Sequence, residues 1–286
     1  MLLRKRLNGG YLFILPGLLY LTIMSVYPMA YVFKLSLFDK KDLFIGLGNF
    51  VRAFQDALFL QTVQQSIIFV LISATFHVAL GLFLAILLNQ KMNPIYRVVI
   101  RSLILIPWAI TPVVVAVIWR LIYNPHLSII PEILKSLGIN IQWMLLANPT
   151  WALPAVALAN IWFSLPFYML MILASLQSIP GEIYEAANID GANIFQRLRY
   201  VTIPHLRNIL VTLLLFDFIG AFVFFELIWV MTKGGPANRT EVMATYAYRM
   251  AFERFDFGYA SAVAVIMFMI MLICCLGLLM IMRKED

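Results

Sequence analysis

Charge is scarce in this chain. Only 12% of its 286 residues are Asp, Glu, Lys or Arg, and 63% are hydrophobic. A soluble globule carries about 25% charged residues, so a water-surrounded fold of this length is excluded and a bilayer becomes the natural solvent. Cysteine is nearly absent. Cys274 and Cys275 are adjacent inside an apolar run, a spacing unsuited to an ordinary disulfide, and read as small hydrophobes. No linker rich in Gly, Pro or Ser and no internal repeat interrupts the sequence, so residues 1–286 read as one membrane domain, and the repeat signature of many two-fold secondary transporters is missing. No glycine string fits the pattern by which backbone amides cradle a phosphate, so this chain is not expected to hydrolyse ATP. Acid, base and metal-ligating residues do not gather at one depth. No catalytic residue, metal or bound cofactor is expected; His126 and His205 sit near loops, and Met169, Met171, Met267, Met269 and Met271 read as apolar packing. The net charge is +7, but the basic residues form short clusters without interleaved aromatics on a polar stripe, which excludes nucleic acid.

What the chain has instead is long apolar runs. A membrane-crossing helix needs about 20 mostly apolar residues, and six stretches qualify: Tyr11–Phe33, Thr62–Leu88, Ser102–Ile122, Trp151–Leu176, Ile209–Met231 and Ala260–Met282. The sequence thus predicts an all-α, polytopic six-helix protein. The first run follows Arg4, Lys5 and Arg6 but is too long for a signal core and lacks a small-residue cleavage site, so it is read as a retained span. Pro107 and Pro112 fall inside the third run, and Pro154 and Pro166 inside the fourth; membrane helices tolerate prolines where neighbours satisfy the freed carbonyls. An even number of spans puts both termini on one side. Arg4, Lys5, Arg6, Arg283 and Lys284 favour the cytoplasm for that side, as do the loop charges Lys91, Arg97, Arg101, Arg197, Arg199 and Arg207. Lys34, Lys40, Lys41, Arg52, Lys135, Lys233, Arg239, Arg249 and Arg254 lie on the other side, so the charge rule orients the chain only weakly.

The connection at 177–206 carries the most information. Ser178 is placed to cap a helix opening near Pro180, since proline suits a first helical turn. Asp190-Gly191 then breaks it, because glycine supplies the permissive backbone of a turn. A second short helix follows, with Phe195, Leu198 and Thr202 on one face, and Pro204 is expected to stop it before the fifth span. Two short helices lying across the membrane surface result. Ala186, Ala187 and Gly191 leave little bulk, so another backbone can approach, and Glu185 offers a charge that would need a partner if buried. The residues alone leave two readings open, a docking site and a plain surface connector.

Glu185-Ala-Ala-Asn-Ile-Asp-Gly-Ala, with Val201-Thr-Ile-Pro204 after it, resembles the EAA loop of binding-protein-dependent ABC importers, and most of all their sugar branch of maltose-type permeases. Leu198 replaces a common phenylalanine, and Val201 and Ile203 fill the aliphatic positions. Three more elements resemble the same family in the same order: Gly46-Leu-Gly-Asn49-Phe50, Thr232-Lys-Gly-Gly-Pro236 and Gly258-Tyr-Ala-Ser-Ala262. The resemblance implies a cytoplasmic coupling loop. Glu185 would make the charged contact with an ATPase subunit, Ala186, Ala187, Asp190 and Gly191 the close approach, and Pro204 the helix stop. It further implies a second permease subunit, two cytoplasmic ATPase subunits that hold ATP and Mg, an external solute-binding protein, a sugar as cargo, and an inner-membrane location with both termini inside. An ion-gradient-driven transporter, or an ABC permease for a non-sugar solute, is the alternative.

Ionisable residues at membrane depth mark pathways by default. Asp217 lies ten residues past Arg207, about 15 Å along a helix, and is read either as an acceptor for sugar hydroxyls or as a hydrogen-bond partner of another helix. Asn160 and His77 carry the same two readings. Trp162, Ser164 and Phe224 are further candidates for the pathway, with Phe224 expected on the Asp217 face and available to stack on a sugar ring. Glu226 is nine residues past Asp217 and falls on the opposite face of a continuous helix. With Gly234, Gly235 and Pro236 it is assigned a gating or structural role.

Overall fold

The computed structural model describes residues 10–90, 92–139 and 143–283. Arg4, Lys5, Arg6, Lys91 and Lys284 lie outside the described residues, as does the side chain of Arg283.

The described chain is helical, apart from one isolated bridge between Phe38 and Phe44. The first apolar run forms α1 (Gly10–Leu21) and α2 (Tyr27–Leu35), joined without interruption by a π turn at Thr22–Val26. The short α3 (Gly48–Gln55) leads into α4 (Ala57–Asn89), whose 33 residues span roughly 50 Å at 1.5 Å per residue. That exceeds a hydrocarbon core of about 30 Å, so α4 projects beyond it. Next come α5 (Pro94–Leu105), α6 (Pro112–Ile122), the short α7 (Ile130–Ser136), and α8 (Ala152–Gln177). The elbow supplies α9 (Gly181–Ile189) and α10 (Ile194–Arg197); then follow α11 (Ile203–Val223), α12 (Glu226–Thr232), α13 (Met243–Tyr248) and α14 (Phe257–Arg283).

Among the described residues, five stretches are long and apolar enough to cross a membrane: Phe13–Leu35, Ala57–Asn89, Ala152–Gln177, Ile194–Val223 and Phe257–Met280. The expected third span is broken. Asn93 caps α5 by accepting from the Ile95 amide at 2.9 Å, and Pro107 opens a 3-10 turn over Pro107–Ala109. Pro112 then restarts the chain as α6, where its missing N–H costs nothing. Arg97 and Arg101 therefore sit on a helix rather than in a loop, with Ile95, Tyr96, Val98, Val99 and Leu103 exposed around them. The fifth span also differs from expectation. α11 stops at Val223, Phe224 is extended, and α12 begins afresh. No proline or glycine stands at this break. The rings beside it pack on different neighbours, Phe224 on Phe163 at 6.2 Å and Phe225 on Trp229 at 5.3 Å. The helical register that placed Phe224 on the Asp217 face and Glu226 opposite is thereby lost. Cys274 and Cys275 are free and half-buried on α14.

The chain divides into two compact units. The first comprises residues 1–57 and 247–268. Its polar centre joins two elements far apart in sequence: Asn49 donates to the carbonyls of Ser36 at 3.0 Å and Phe38 at 2.7 Å, and Gly258 sits so close to that Phe38 carbonyl that a side chain would collide with it. Arg52 binds Asp256 at 2.7 Å and lies over the Tyr259 ring at 4.1 Å, while the Tyr259 hydroxyl donates to Asp56 at 3.1 Å. The second unit, residues 58–246 and 269–286, holds an apolar core in which Ala85 and Leu88 of α4 meet Met169, Ile172 and Leu176 of α8 and Leu206 and Leu213 of α11.

Candidate functional site

Two constellations in the second unit carry the chemistry of the candidate residues. The first is buried between helices. His77 on α4 bonds through Nδ1 to Asp217 Oδ2 on α11 at 2.8 Å, and its Nε2 lies 3.4 Å from the Asn160 carbonyl on α8. Asn160 Nδ2 donates to Ser73 Oγ at 3.0 Å, and the His77 ring stacks on Tyr168 with centroids 4.5 Å apart. His77 is 1% exposed, Asp217 and Asn160 3%, so these buried polar groups lean on one another for hydrogen bonds. Both nitrogens of His77 face oxygens. The set is satisfied when one proton lies between Nδ1 and the carboxylate and a second points from Nε2 to the carbonyl.

Gly81 explains how the ring reaches Tyr168. It lies one helical turn beyond His77, and a Cβ there would stand 3.0 Å from Tyr168 Cβ and 3.3 Å from the Met169 amide nitrogen. The missing side chain lets α4 and α8 approach to backbone distance. Sequence reading brought up His77, Asn160 and Asp217 separately, and the fold brings all three together. It missed Ser73, Gly81 and Tyr168, for which a glycine and a hydroxyl at helical spacing from His77 on one apolar helix were the only signal. The pairing is what the helix–helix reading of these residues requires. Trp162, Ser164 and Phe224 are half-buried and no hydrogen bond ties them to this cluster; Trp162 instead meets Trp119 edge-on at 5.9 Å. Glu226 is exposed in the first turn of α12, and Gly234-Gly235-Pro236 lies past its other end, roughly 10 Å away along the helix axis. That turn is pinned by Thr240, which meets Thr232 Oγ1 and donates to the Gly235 carbonyl, both at 2.7 Å.

The second constellation is the elbow, and it is open. Glu185, Ala186, Asp190, Gly191 and Pro204 are exposed and Ala187 is partly so. Gly191 takes φ +73°, the left-handed turn foreseen for it, and a Cβ there would meet nothing. Four details differ from expectation. Ser178 closes α8, its hydroxyl donating to the Ser175 carbonyl at 2.8 Å, while Pro180 occupies the N-cap of α9. A proline N-cap suits the extended backbone there, φ −58° and ψ 134°. Pro204 does not stop the helix: α10, a π turn at Leu198–Thr202 and α11 run on as one rod from Ile194 to Val223. The π turn moves the Ile203 amide to the Leu198 carbonyl, and Pro204, lacking an N–H, falls harmlessly in the first turn of α11. The same turn rotates the register, so Phe195 is 80% exposed while Thr202 is buried; they do not share a face.

The elbow is stiff despite its exposure. Asn193 and Gln196 form a reciprocal capping box at 2.8 and 2.9 Å. Arg197 donates to the Asn188 side chain across the turn, and the Tyr184 and Thr202 hydroxyls meet at 3.1 Å. Its tip presents Ile189, Ile194 and Phe195, each 71% exposed or more, beside Glu185. The exposed face of this braced turn is thus an apolar knob with a carboxylate next to it.

The chain is similar to known transport proteins over nearly its full length. It is 34% identical over 269 residues to the trehalose/maltose transport system permease protein of Thermococcus litoralis, covering 92% of this chain and 90% of that one. It is 33% identical over 282 residues to the sulfoquinovosyl glycerol transport system permease protein of Agrobacterium fabrum, covering 96% and 90%. Its fold matches a chain of a bacterial alginate ABC transporter solved in complex with an alginate pentasaccharide-bound periplasmic protein, with a TM-score of 0.85, 23% identity and coverage of 96% and 93%. The model of the binding-protein-dependent transport system inner membrane components matches residues 77–283, a stretch that contains His77, Asn160 and Asp217 as well as the braced elbow. By that match and by these relatives, this multi-pass membrane protein belongs to the binding-protein-dependent transport system inner membrane component family.

Proposed function

We propose that this chain is a permease subunit of an ATP-binding-cassette importer, forming with a second permease the path for a sugar or oligosaccharide delivered by an external binding protein. The observation that carries the reading is the elbow: exposed Glu185, Ala186 and Gly191 beside an apolar tip of Ile189, Ile194 and Phe195, rigid and continuous with α11. A push on such a tip is delivered straight into a 30-residue rod, since the π turn keeps helix and elbow in one piece. The permease relatives for maltose-type and sulfosugar solutes support the carbohydrate cargo. The alginate transporter, solved with its periplasmic protein, supports an external delivery partner.

In this proposal two ATPase subunits grip the elbow from the cytoplasm and hold ATP and Mg, and this chain hydrolyses nothing itself. Both termini are then cytoplasmic. Trp162, Ser164 and Phe224, half-buried and outside the closed cluster, are the candidates for touching solute, while His77, Asn160 and Asp217 hold α4, α8 and α11 as one wall of the path. Glu226 and the Gly234-Gly235-Pro236 turn serve the outer end. The test is Glu185→Lys in the assembled transporter in proteoliposomes. Insertion and assembly should persist and ATP-driven uptake should be lost, because only the docking charge is reversed. Uptake at the unaltered rate with the ATPase still bound would remove the coupling role.

A further inference from the structure

The N-terminal third of α4, opposite the elbow end of the second unit, borders a cavity of about 330 Å³. Gln61, Gln64 and Gln65 line it from α4, Pro149 and Thr150 from the turn before α8, Leu153 and Pro154 from its first turn, and Arg239 from the loop after α12. Three features make it a built site. Gln65 is only 6% exposed, and its Oε1 is buried without a hydrogen-bond partner. A buried amide oxygen left bare is costly, so a turn of this amide toward a ligand in the cavity it lines regains a hydrogen bond. Gln61 Nε2 donates to the Asn238 carbonyl at 3.2 Å, tying the Arg239 loop to α4, and that loop holds Ala237 and Asn238 at φ +47° and +58° to present the arginine. No acidic side chain lines the cavity.

Three carboxamides and a threonine hydroxyl both donate and accept, which matches the hydroxyls of a carbohydrate. The prolines, Ile68 and Leu153 offer an apolar wall for the C–H face of a sugar ring. A guanidinium without an acidic neighbour in the lining is a receptor for a carboxylate or another planar anion. We propose that this cavity binds an acidic carbohydrate, its hydroxyls on Gln61, Gln64 and Gln65 and its anionic group on Arg239. On the orientation proposed above, it opens to the outside and is the first station for incoming solute. Only that placement, and not the chemistry of the cavity, rests on the importer reading.

The experiment uses the purified full-length chain and the assembled transporter in nanodiscs, titrated with D-glucuronate and D-glucose, which differ only at C6. Glucuronate should bind about tenfold more tightly than glucose, the increment of one charge-assisted contact. Arg239→Ala should abolish that preference with little change for glucose, and Gln65→Leu should weaken both sugars about tenfold. Arg239 is exposed, so its variant decides the matter should Gln65→Leu fail to fold. No binding of glucuronate at tens of millimolar, equal affinity for the two sugars, or a preference that survives Arg239→Ala overturns the proposal. Binding by the isolated chain that vanishes in the assembled transporter also overturns it, in favour of a seat for the second permease. ATP-driven uptake with and without Glu185→Lys reads the importer assignment separately, so either proposal can fail without the other.

Discussion

His77 and Asp217 on one side, and Glu185 and Asp190 on the other, are ionisable residues of one helical unit placed in opposite surroundings. The first pair is sealed between three helices and bonded at 2.8 Å. The second stands in the open on a turn braced from behind by Asn193, Gln196 and Arg197. In the sealed cluster His77 is answered by Asp217 and Asn160 within the chain, so these residues tie α4, α8 and α11 together. In the elbow the internal bonds belong to the brace, and the charges and apolar tip stand exposed.

The contrast predicts a ranking of stability effects. Asp217→Leu strips the buried histidine of its carboxylate and should cost about 3–5 kcal/mol, read from unfolding in detergent. The double variant His77→Leu with Asp217→Leu should recover most of that loss, because a packed apolar pair leaves no buried polar group without its partner. Simple additivity of the two single losses would break the comparison. Gly81→Ala should cost about 1–3 kcal/mol, since its new methyl meets Tyr168 Cβ and the Met169 backbone in a helix contact that cannot widen without moving α8. Gly191→Ala should cost only about 1 kcal/mol, for the same methyl there enters open space and only the left-handed backbone resists it. Equal losses at the two glycines would mean that the cluster is looser than its distances imply. Glu185→Lys should change stability least, within about 0.5 kcal/mol as for other surface substitutions, while abolishing uptake. A large loss of stability in that variant would place Glu185 among the structural residues and end the contrast.

The elbow was legible because its information is contiguous. Glu185 to Ala192 is one string whose small residues, turn glycine and free carboxylate show in sequence order what the surface shows in space. The buried cluster was legible only in parts. Asp217 and His77 stand out as ionisable residues inside apolar runs, yet 140 positions separate them, and no periodicity on either helix says which partner it meets. The register after Asp217 was misread for a related reason. A helical wheel assumes one continuous helix, and the break at Phe224 carries no proline or glycine to announce it. Pro204 shows the converse: a residue that usually ends helices is absorbed because a π turn precedes it.

By itself the amino-acid sequence determined the solvent, the helical class and the exposed turn of the elbow, since apolar run length and local turn chemistry act over a few residues and need no knowledge of neighbours. The tertiary structure alone decided where helices break or run through, which buried polar groups satisfy one another, and that Gln65 and Arg239 face one cavity. Those outcomes depend on contacts between distant segments, where the cost of an unpaired polar atom or a blocked close approach arises only once the helices are packed.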